Sequence, residues 1–384
     1  MASLVIVTRR YWPLVGGQEA MMSSLAKSLT ERGHQVTILT AQWSASWPVN
    51  IEDGRVTVVR IPQQRRSVWG TWRFMTRIAR WIRQHRDEMD GIIISRIGYS
   101  AYAALGAING DGRSIPSVVS AVAETDRELN WLRQNPLAPR IKMRMETAKS
   151  IVANSAHGRQ MLLNAGFRPA KVHMVPIGIP PCSLVTNASR DAARRDLRAV
   201  NSDLALPIQG RLAVTIGPMH RASGLEMLVR AWQKIVRRYE DARLWIIGDG
   251  EDRERLSQLK KDLDLQWHVL MPGTFEEVDE VLAAADVYVA AGDDSHCCRP
   301  LEAMGVGLPV IAVDGALNRE LFGRDGLGSI LCGNNEQDLV DAFEQVFADR
   351  RQANEMGVFA RNRVQQRNTI DGMVMEYERL LVAR

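Results

Sequence analysis

Residues Leu282–Val313 read LAAADVYVAAGDDSHCCRPLEAMGVGLPVIAV, and the order of signals in this stretch decides the fold. The short apolar run DVYVA predicts a buried strand. A polar loop carrying Asp294 follows, and after seven intervening residues Glu302 opens an apolar helix. Pro300 sits where a first-turn proline is tolerated, and Gly305, Gly307 and Pro309 end the helix before the strand VIAV. Strand, loop and helix N-terminus together bring free backbone N–H groups to one spot, where a phosphate can be held. Two carboxylates flank that spot and suit the hydroxyls of a sugar and of a ribose. The pattern is that of a nucleotide-sugar site.

Outward from this unit the same alternation recurs on both sides. Towards the N-terminus, LVIVT reads as a buried strand, the loop RRYWPLVGG follows, and a helix is expected from Gln18 to Arg32 with Met21, Met22, Leu25 and Leu29 inward. Gly33 caps it, and QVTILT, VTVVRI, GIIIS and SVVSAV continue the strand series to SIVANS and KVHMVPIG. The rhythm breaks between Pro180 and Gly210, a polar stretch with the helix candidate DAARRDLRAV. It restarts with RLAVTIG, a helix from Met227 to Tyr239, RLWIIGDG and HVLMPG, and from Glu336 on the pattern is helical. Alternating strands and helices imply a parallel sheet covered on both faces. Two such series predict an α/β protein with two Rossmann-like, doubly wound domains. The expected boundaries are 1–180, a connection at 181–210, a second domain at 211–365 and a terminal helix at 366–384.

At 384 residues the chain exceeds one ordinary core. A composition that is 46% hydrophobic and 24% charged is that of a water-soluble globular protein. The apolar run in MASLVIVTRRYW is too short for a signal peptide or a membrane span, and four cysteines, two of them adjacent, make no disulfide framework. A reduced, cytoplasmic protein is expected. The net charge of +5 is modest but uneven, with seven arginines and no acid from Arg65 to Arg86. On a helix, Arg73, Arg77 and Arg80 share one face, while Phe74, Met75, Ile78, Trp81 and Ile82 share the other. The commoner meaning is a sheet-covering helix with a solvated basic face. The second is a helix lying on an anionic membrane, which would place the protein peripherally on the inner membrane face. No zinc-finger or RNP-type motif supports nucleic-acid binding. Neither a P-loop nor a Ser-His-Asp arrangement is present. His296, Cys297 and Cys298 lack a second Cys/His cluster, and adjacent cysteines seldom ligate one ion, so no metal is expected.

Four further segments keep order and spacing with the acidic pair: GGQEAMMSSLAKSLTERGHQVTILT, SIVANSAHGRQMLLNAGFRPAKVHMVPIGI, LWIIGDGEDRERL and VLMPGTFEEVDEVLAAADVYV. With them the chain resembles the retaining glycosyltransferases of family 4 over nearly its whole length. The resemblance implies a GT-B architecture, two Rossmann-like domains facing a cleft, with the segment MVMEYERLL crossing back to the N-terminal domain. It implies transfer of a sugar from a nucleoside-diphosphate sugar to a glycan or lipid-linked acceptor with retained configuration, and no cofactor. Asp294 would contact the donor sugar beside His296, Cys297 and Cys298, and Glu302 the ribose. Gly273 and Thr274 would meet the base through backbone. Gly16 and Gly17, between the first strand and its helix, would approach the donor phosphates.

Three departures qualify the implied chemistry. The family's first acid is normally a glutamate, and here it is Asp294. In the loop GPMHRASG, Pro218 and Ser223 stand where an arginine and a lysine usually neutralise the diphosphate. His220, Arg221 and Arg299 are the basic candidates that could compensate, Arg299 foremost because a guanidinium grips two phosphate oxygens. In VAETDREL, Ala123 and Glu124 replace the turn that normally carries a sugar-contacting histidine, which leaves Glu124 and Asp126 as acceptor-side candidates. Two alternatives therefore accompany the transferase reading: a non-catalytic binding or scaffold member, and an epimerase or phosphorylase-like enzyme on the same architecture.

Overall fold

The computed structural model describes residues 1–14, 16–62, 68–109, 114–121, 125–207, 210–275, 277–293, 298–323 and 327–382. The chain divides into two units, Met1–Pro180 with Thr369–Arg384, and Pro181–Asn368. The first is built on an eight-stranded sheet: β1 Ser3–Val7, β2 Gln35–Gln42, β3 Asn50–Asp53, β4 Val56–Pro62, β5 Gly91–Ile94, β6 Ser117–Ala121, β7 Ser150–Ala153 and β8 Val172–Met174. Their spatial order is β3-β4-β2-β1-β5-β6-β7-β8. Among the described strands of this sheet, only the β3–β4 pair is antiparallel. The short edge strand β3 escaped the pattern reading because NIED carries no apolar run.

The second unit holds β9 Leu212–Ile216, β10 Arg243–Ile247, β11 Val269–Gly273, β12 Val287–Ala290, β13 Val310–Val313 and β14 Ser329–Cys332. They run parallel in the order β11-β10-β9-β12-β13-β14. In both sheets the chain winds outward on one side of the first strand, then returns to its other side. The order thus reverses between β1 and β5 in one sheet and between β9 and β12 in the other. Loops leaving such a switch point at the carboxyl ends diverge and leave a crevice.

Strands buried on both faces must be apolar throughout, which is why GIII and SIVA read as continuous runs and are fully buried. Helices cover them with one apolar stripe. In the helix Leu225–Arg238 the residues Leu225, Leu228, Val229, Ala231, Trp232 and Ile235 are buried. Trp232 meets Phe343 edge to face, with centroids 5.1 Å apart.

The arginine-rich helix spans Val68–Gln84 and buries Phe74, Ile78, Ala79 and Ile82. The helix Asn187–Val200 opens with a Thr186/Ser189 capping box and packs in the second unit. There Arg194 donates to Asp286 at 2.7 Å, and the same carboxylate accepts from Leu212 N–H at 2.8 Å. Burial depresses the Arg190 guanidinium, which donates to the Ala285 carbonyl at 3.0 Å. The terminal helix Ile370–Val382 belongs to the first unit, where Thr369 forms an isolated parallel bridge with Ile179.

Candidate functional site

In the second unit, four strand-end loops meet at the switch point. Gly217 N–H donates to Ile247 O at 3.0 Å, Met219 N–H to Asp249 O at 3.0 Å, and Gly248 N–H to Gly273 O at 2.8 Å. The loop after β9 also touches the loop after β12. Gly224 has a left-handed φ of 71°, and a Cβ there would run into the Ala291 carbonyl oxygen. Only glycine meets both demands, so the sequence GPMHRASG ends as it must for the two loops to pack. Ser223 is spent inside this turn, its hydroxyl donating to the His220 carbonyl at 2.6 Å. Pro218 and Arg221 are exposed and His220 is half-buried. The Asp252 carboxyl beside them is held below its usual range by a hydrogen bond from Arg255, with the Arg221 and His220 charges acting in the same direction.

The helix carrying the second acid spans Cys298–Gly305. It begins four residues before Glu302, so this acid lies inside the helix rather than at its opening. Pro300 is accommodated in its first turn. Arg299 Nη1 donates to Glu302 Oε2 at 2.7 Å, with only 9% and 15% of the two side chains exposed. Cys298 is buried, and Cys182, whose thiol is pushed up to about 11 by burial and by the Glu302 charge, is a poor nucleophile.

Asp293 is committed elsewhere. Its Oδ1 accepts from the N–H groups of Leu317 at 3.1 Å and Asn318 at 2.9 Å, capping the helix Ala316–Phe322. Asp294, His296 and Cys297 lie outside the described residues, as does Glu124. Asp126 stands in the first turn of the helix Thr125–Gln134. Among the described residues no group of His, Cys, Asp and Glu is arranged to hold a metal ion.

In the first unit, Gly16 and Gly17 sit where the loop after β1 enters the helix Gly17–Glu31. A Cβ on Gly16 would collide with the Glu19 carboxylate, which is buried and paired with Arg10 at 2.7 Å. The acid thus lies over the glycine that sequence reading assigned to close backbone approach. Gln18 ties the same turn to the residue after β5 by donating to the Ser95 carbonyl at 2.7 Å.

Two groups of side chains escaped the sequence reading. Trp69 and Trp72, on the arginine-rich helix, are 73% and 57% exposed and meet edge to face at 6.2 Å. A cavity of about 370 Å³ lined by Thr76, Ala79, Arg80, Arg83 and Gln84 opens on the same helix, on different residues from both glycine loops. The other group is an arginine–tryptophan cluster at the carboxyl ends of β1, β2 and β4. The amphipathic signal of 68–84 was visible, but the period that places Phe74 and Ile78 inward also puts Trp69 and Trp72 outward. No helix among the described residues is long and apolar enough to cross a membrane.

Two family models match this chain in succession: Glycosyltransferase Family 4 over residues 15–181, and Glycosyl transferases group 1 over residues 201–363. The chain is 28% identical over 374 residues to D-inositol 3-phosphate glycosyltransferase of Pseudarthrobacter chlorophenolicus, an alignment covering 91% of this chain and 86% of that protein. It is 24% identical over 374 residues to the GDP-mannose-dependent alpha-(1-6)-phosphatidylinositol monomannoside mannosyltransferase of Mycolicibacterium smegmatis, covering 94% and 93%. Among solved structures it superimposes over the full length of both chains on sucrose-phosphate synthase of Thermosynechococcus elongatus at a TM-score of 0.80, with 17% identity. It does so equally on Anabaena Alr3699/HepE in complex with UDP and glucose, at 0.78 and 17% identity. These structures share the GT-B architecture, two parallel-sheet α/β domains. With both halves matched in order, the chain belongs to the group 1, family 4 glycosyltransferases.

Proposed function

We propose that this glycosyltransferase moves a glycosyl group from a nucleoside-diphosphate sugar to a glycan or lipid-linked acceptor, retaining the anomeric configuration. The observation that carries the reading is the convergence of four strand-end loops of the second unit beside the buried Arg299–Glu302 pair. A solved neighbour binds UDP-glucose, which fits a donor of this class. Glu302 keeps Oε1 for a ribose hydroxyl while Oε2 is held by Arg299. The base lies against the Gly273–Thr274 backbone, and the donor sugar lies against Asp294 with His296, Cys297 and Cys298. The diphosphate is met by His220 and Arg221, with Arg299 contributing charge. In the reaction the bond from the anomeric carbon to the diphosphate oxygen breaks. The acceptor oxygen bonds that carbon from the same face, its proton passes to the leaving phosphate, and the nucleoside diphosphate departs. Orientation and leaving-group stabilisation supply the rate.

Incubating the protein with a panel of nucleotide sugars and glycosyl acceptors, and following the anomeric proton by NMR, tests this reading. One donor should be consumed with its configuration kept, in the presence of a chelator as in its absence. An inverted product, or epimerised donor without acceptor, would overturn it.

The acceptor named for one relative is lipid-linked, and the exposed face of Val68–Gln84 suits a lipid surface. Arg73, Arg77, Arg80 and Arg83 are exposed on it beside Trp69 and Trp72. Each arginine near an anionic bilayer contributes about 1 kcal/mol, and indole rings settle at the headgroup level. The protein should therefore co-sediment with phosphatidylglycerol vesicles at low salt and be released as salt rises. Replacing both Trp69 and Trp72 by serine should abolish retention. Equal binding to neutral phosphatidylcholine vesicles would sink the idea.

A further inference from the structure

The cluster at the carboxyl ends of β1, β2 and β4 is organised by one arginine. Arg60 is 1% exposed, and burial depresses its guanidinium. Its Nη2 donates to the Trp12 carbonyl at 2.9 Å and its Nη1 to the Pro48 carbonyl at 2.8 Å. Its guanidinium carbon lies 5.7 Å from the ring centroids of both Trp12 and Trp47. Two loops distant in sequence, the one after β1 and the one after β2, are thereby clipped together. A third indole reinforces the join, since Trp43 Nε1 donates to the Arg9 carbonyl at 3.1 Å.

Burying a guanidinium is costly unless its donors are satisfied. Here the two Nη groups, though not the buried Nε, are spent on backbone carbonyls, and the loop they fix presents Trp12 with 48% of its surface in solvent. Trp12 stands four residues before Gly16, in the loop that leaves β1 at the switch point, the ligand side of an open α/β sheet. An indole beside a guanidinium, with 48% of its surface in solvent, can offer a ring face to a saccharide. The C–H face of a pyranose ring stacks on the indole, and its hydroxyls stay in water or meet nearby polar groups.

We propose that Trp12, held by Arg60, whose guanidinium also lies over Trp47, is a stacking subsite for a pyranose ring of the acceptor. This inference rests on the transferase reading and adds to it a specificity-determining residue in the first unit. Trp12 makes no bond to the reacting atoms. Its loss should weaken acceptor capture and leave the donor untouched.

The test uses the full chain and soluble probes: methyl α-glucopyranoside, methyl α-mannopyranoside and methyl β-galactopyranoside, followed by saturation-transfer NMR. At least one glycoside should receive saturation on its ring C–H protons. Trp12→Ala should lower that affinity about tenfold, and Trp12→Phe should retain most of it. Trp12→Leu, which fills space without offering a ring face, should behave like alanine and guards against a collapsed loop. Calorimetric binding of nucleoside diphosphates, measured on the same samples, should be unchanged by all three substitutions. Saccharide binding that survives in Trp12→Ala and Trp12→Leu, or that is undetectable in the parent for every glycoside, overturns the subsite while diphosphate binding leaves the transferase reading standing. A parent that binds no nucleoside diphosphate overturns the transferase reading itself.

Discussion

Replacing Glu302 by alanine is expected to weaken binding of the nucleotide-sugar donor by about thirtyfold or more, because removing one partner of a buried charged contact costs roughly 2–5 kcal/mol. Two losses combine in this variant. The ribose hydroxyl loses its acceptor, and Arg299, 9% exposed in its side chain, loses the carboxylate that neutralises it at 2.7 Å. Stability should fall as well, since breaking a buried pair by deleting one member leaves an uncompensated charge. Glu302→Gln separates the effects. It keeps an oxygen for Arg299 and for the ribose but removes the charge, so its melting temperature should lie closer to the parent and its donor affinity between parent and alanine. Arg299→Ala supplies the third corner. If Arg299 acts mainly by holding Glu302, the double substitution should cost little more than either single one. If it also grips phosphate, the two losses should approach additivity in titrations with the diphosphate. Donor affinity unchanged in Glu302→Ala, at unchanged folding, would remove this acid from the site.

The strand–loop–helix–strand unit around Glu302 was legible because its strand is buried on both faces and its helix is bounded by proline and glycine. The second sheet followed from repetition of that unit. Which of two adjacent acids does what was not legible. Asp293 caps the helix Ala316–Phe322 through two backbone bonds more than twenty residues away, and no local pattern reports such a partner. Arg299 read from sequence as a substitute phosphate clamp, and the i,i+3 geometry that joins it to Glu302 emerges only with the helix Cys298–Gly305. Ser223 stood out as a missing lysine, yet in the fold it closes its own turn on His220. The Trp12–Arg60–Trp47 clip was invisible for the same reason. Its three members come from the loop after β1, the connection after β2 and the strand β4, and only the parallel register of those strands brings them to one edge. Periodicity predicts which face a side chain occupies, not which distant carbonyl it will meet.

Deleting residues 369–384 is expected to prevent the first unit from folding while leaving the second unit its own core. Ile370, Met373, Val374, Tyr377, Leu380 and Leu381 are all buried on the first unit. At roughly 1.5–3 kcal/mol for each such side chain fully buried, their loss is on the order of 10 kcal/mol, which matches the whole stability of an ordinary domain. Polar anchors add to it. The Tyr377 hydroxyl and Ser120 Oγ form a buried hydrogen bond at 2.8 Å, and burial pushes the phenol up to about 12. Glu378 accepts from Arg32 at 3.0 Å and lies 2.9 Å from His34 Nε2. Burial alone would raise its carboxyl, but the bonds from Arg32 and His34 outweigh it and hold the group below the usual carboxylate range. A carboxyl depressed in the folded state stabilises above its unfolded value and loses that contribution as pH falls through the folded one. Docking of the terminal helix should therefore loosen first on the acid side, and Glu378→Gln should flatten that part of the profile. Hydrogen exchange read by mass spectrometry provides the measurement. In the truncated chain, peptides from β1, β5 and β6 should exchange at unfolded rates, whereas those from β9, β10 and β12 keep their protection. Protection of β5 and β6 equal to that of the intact chain would show that the first unit's core is complete without the helix that crosses back to it.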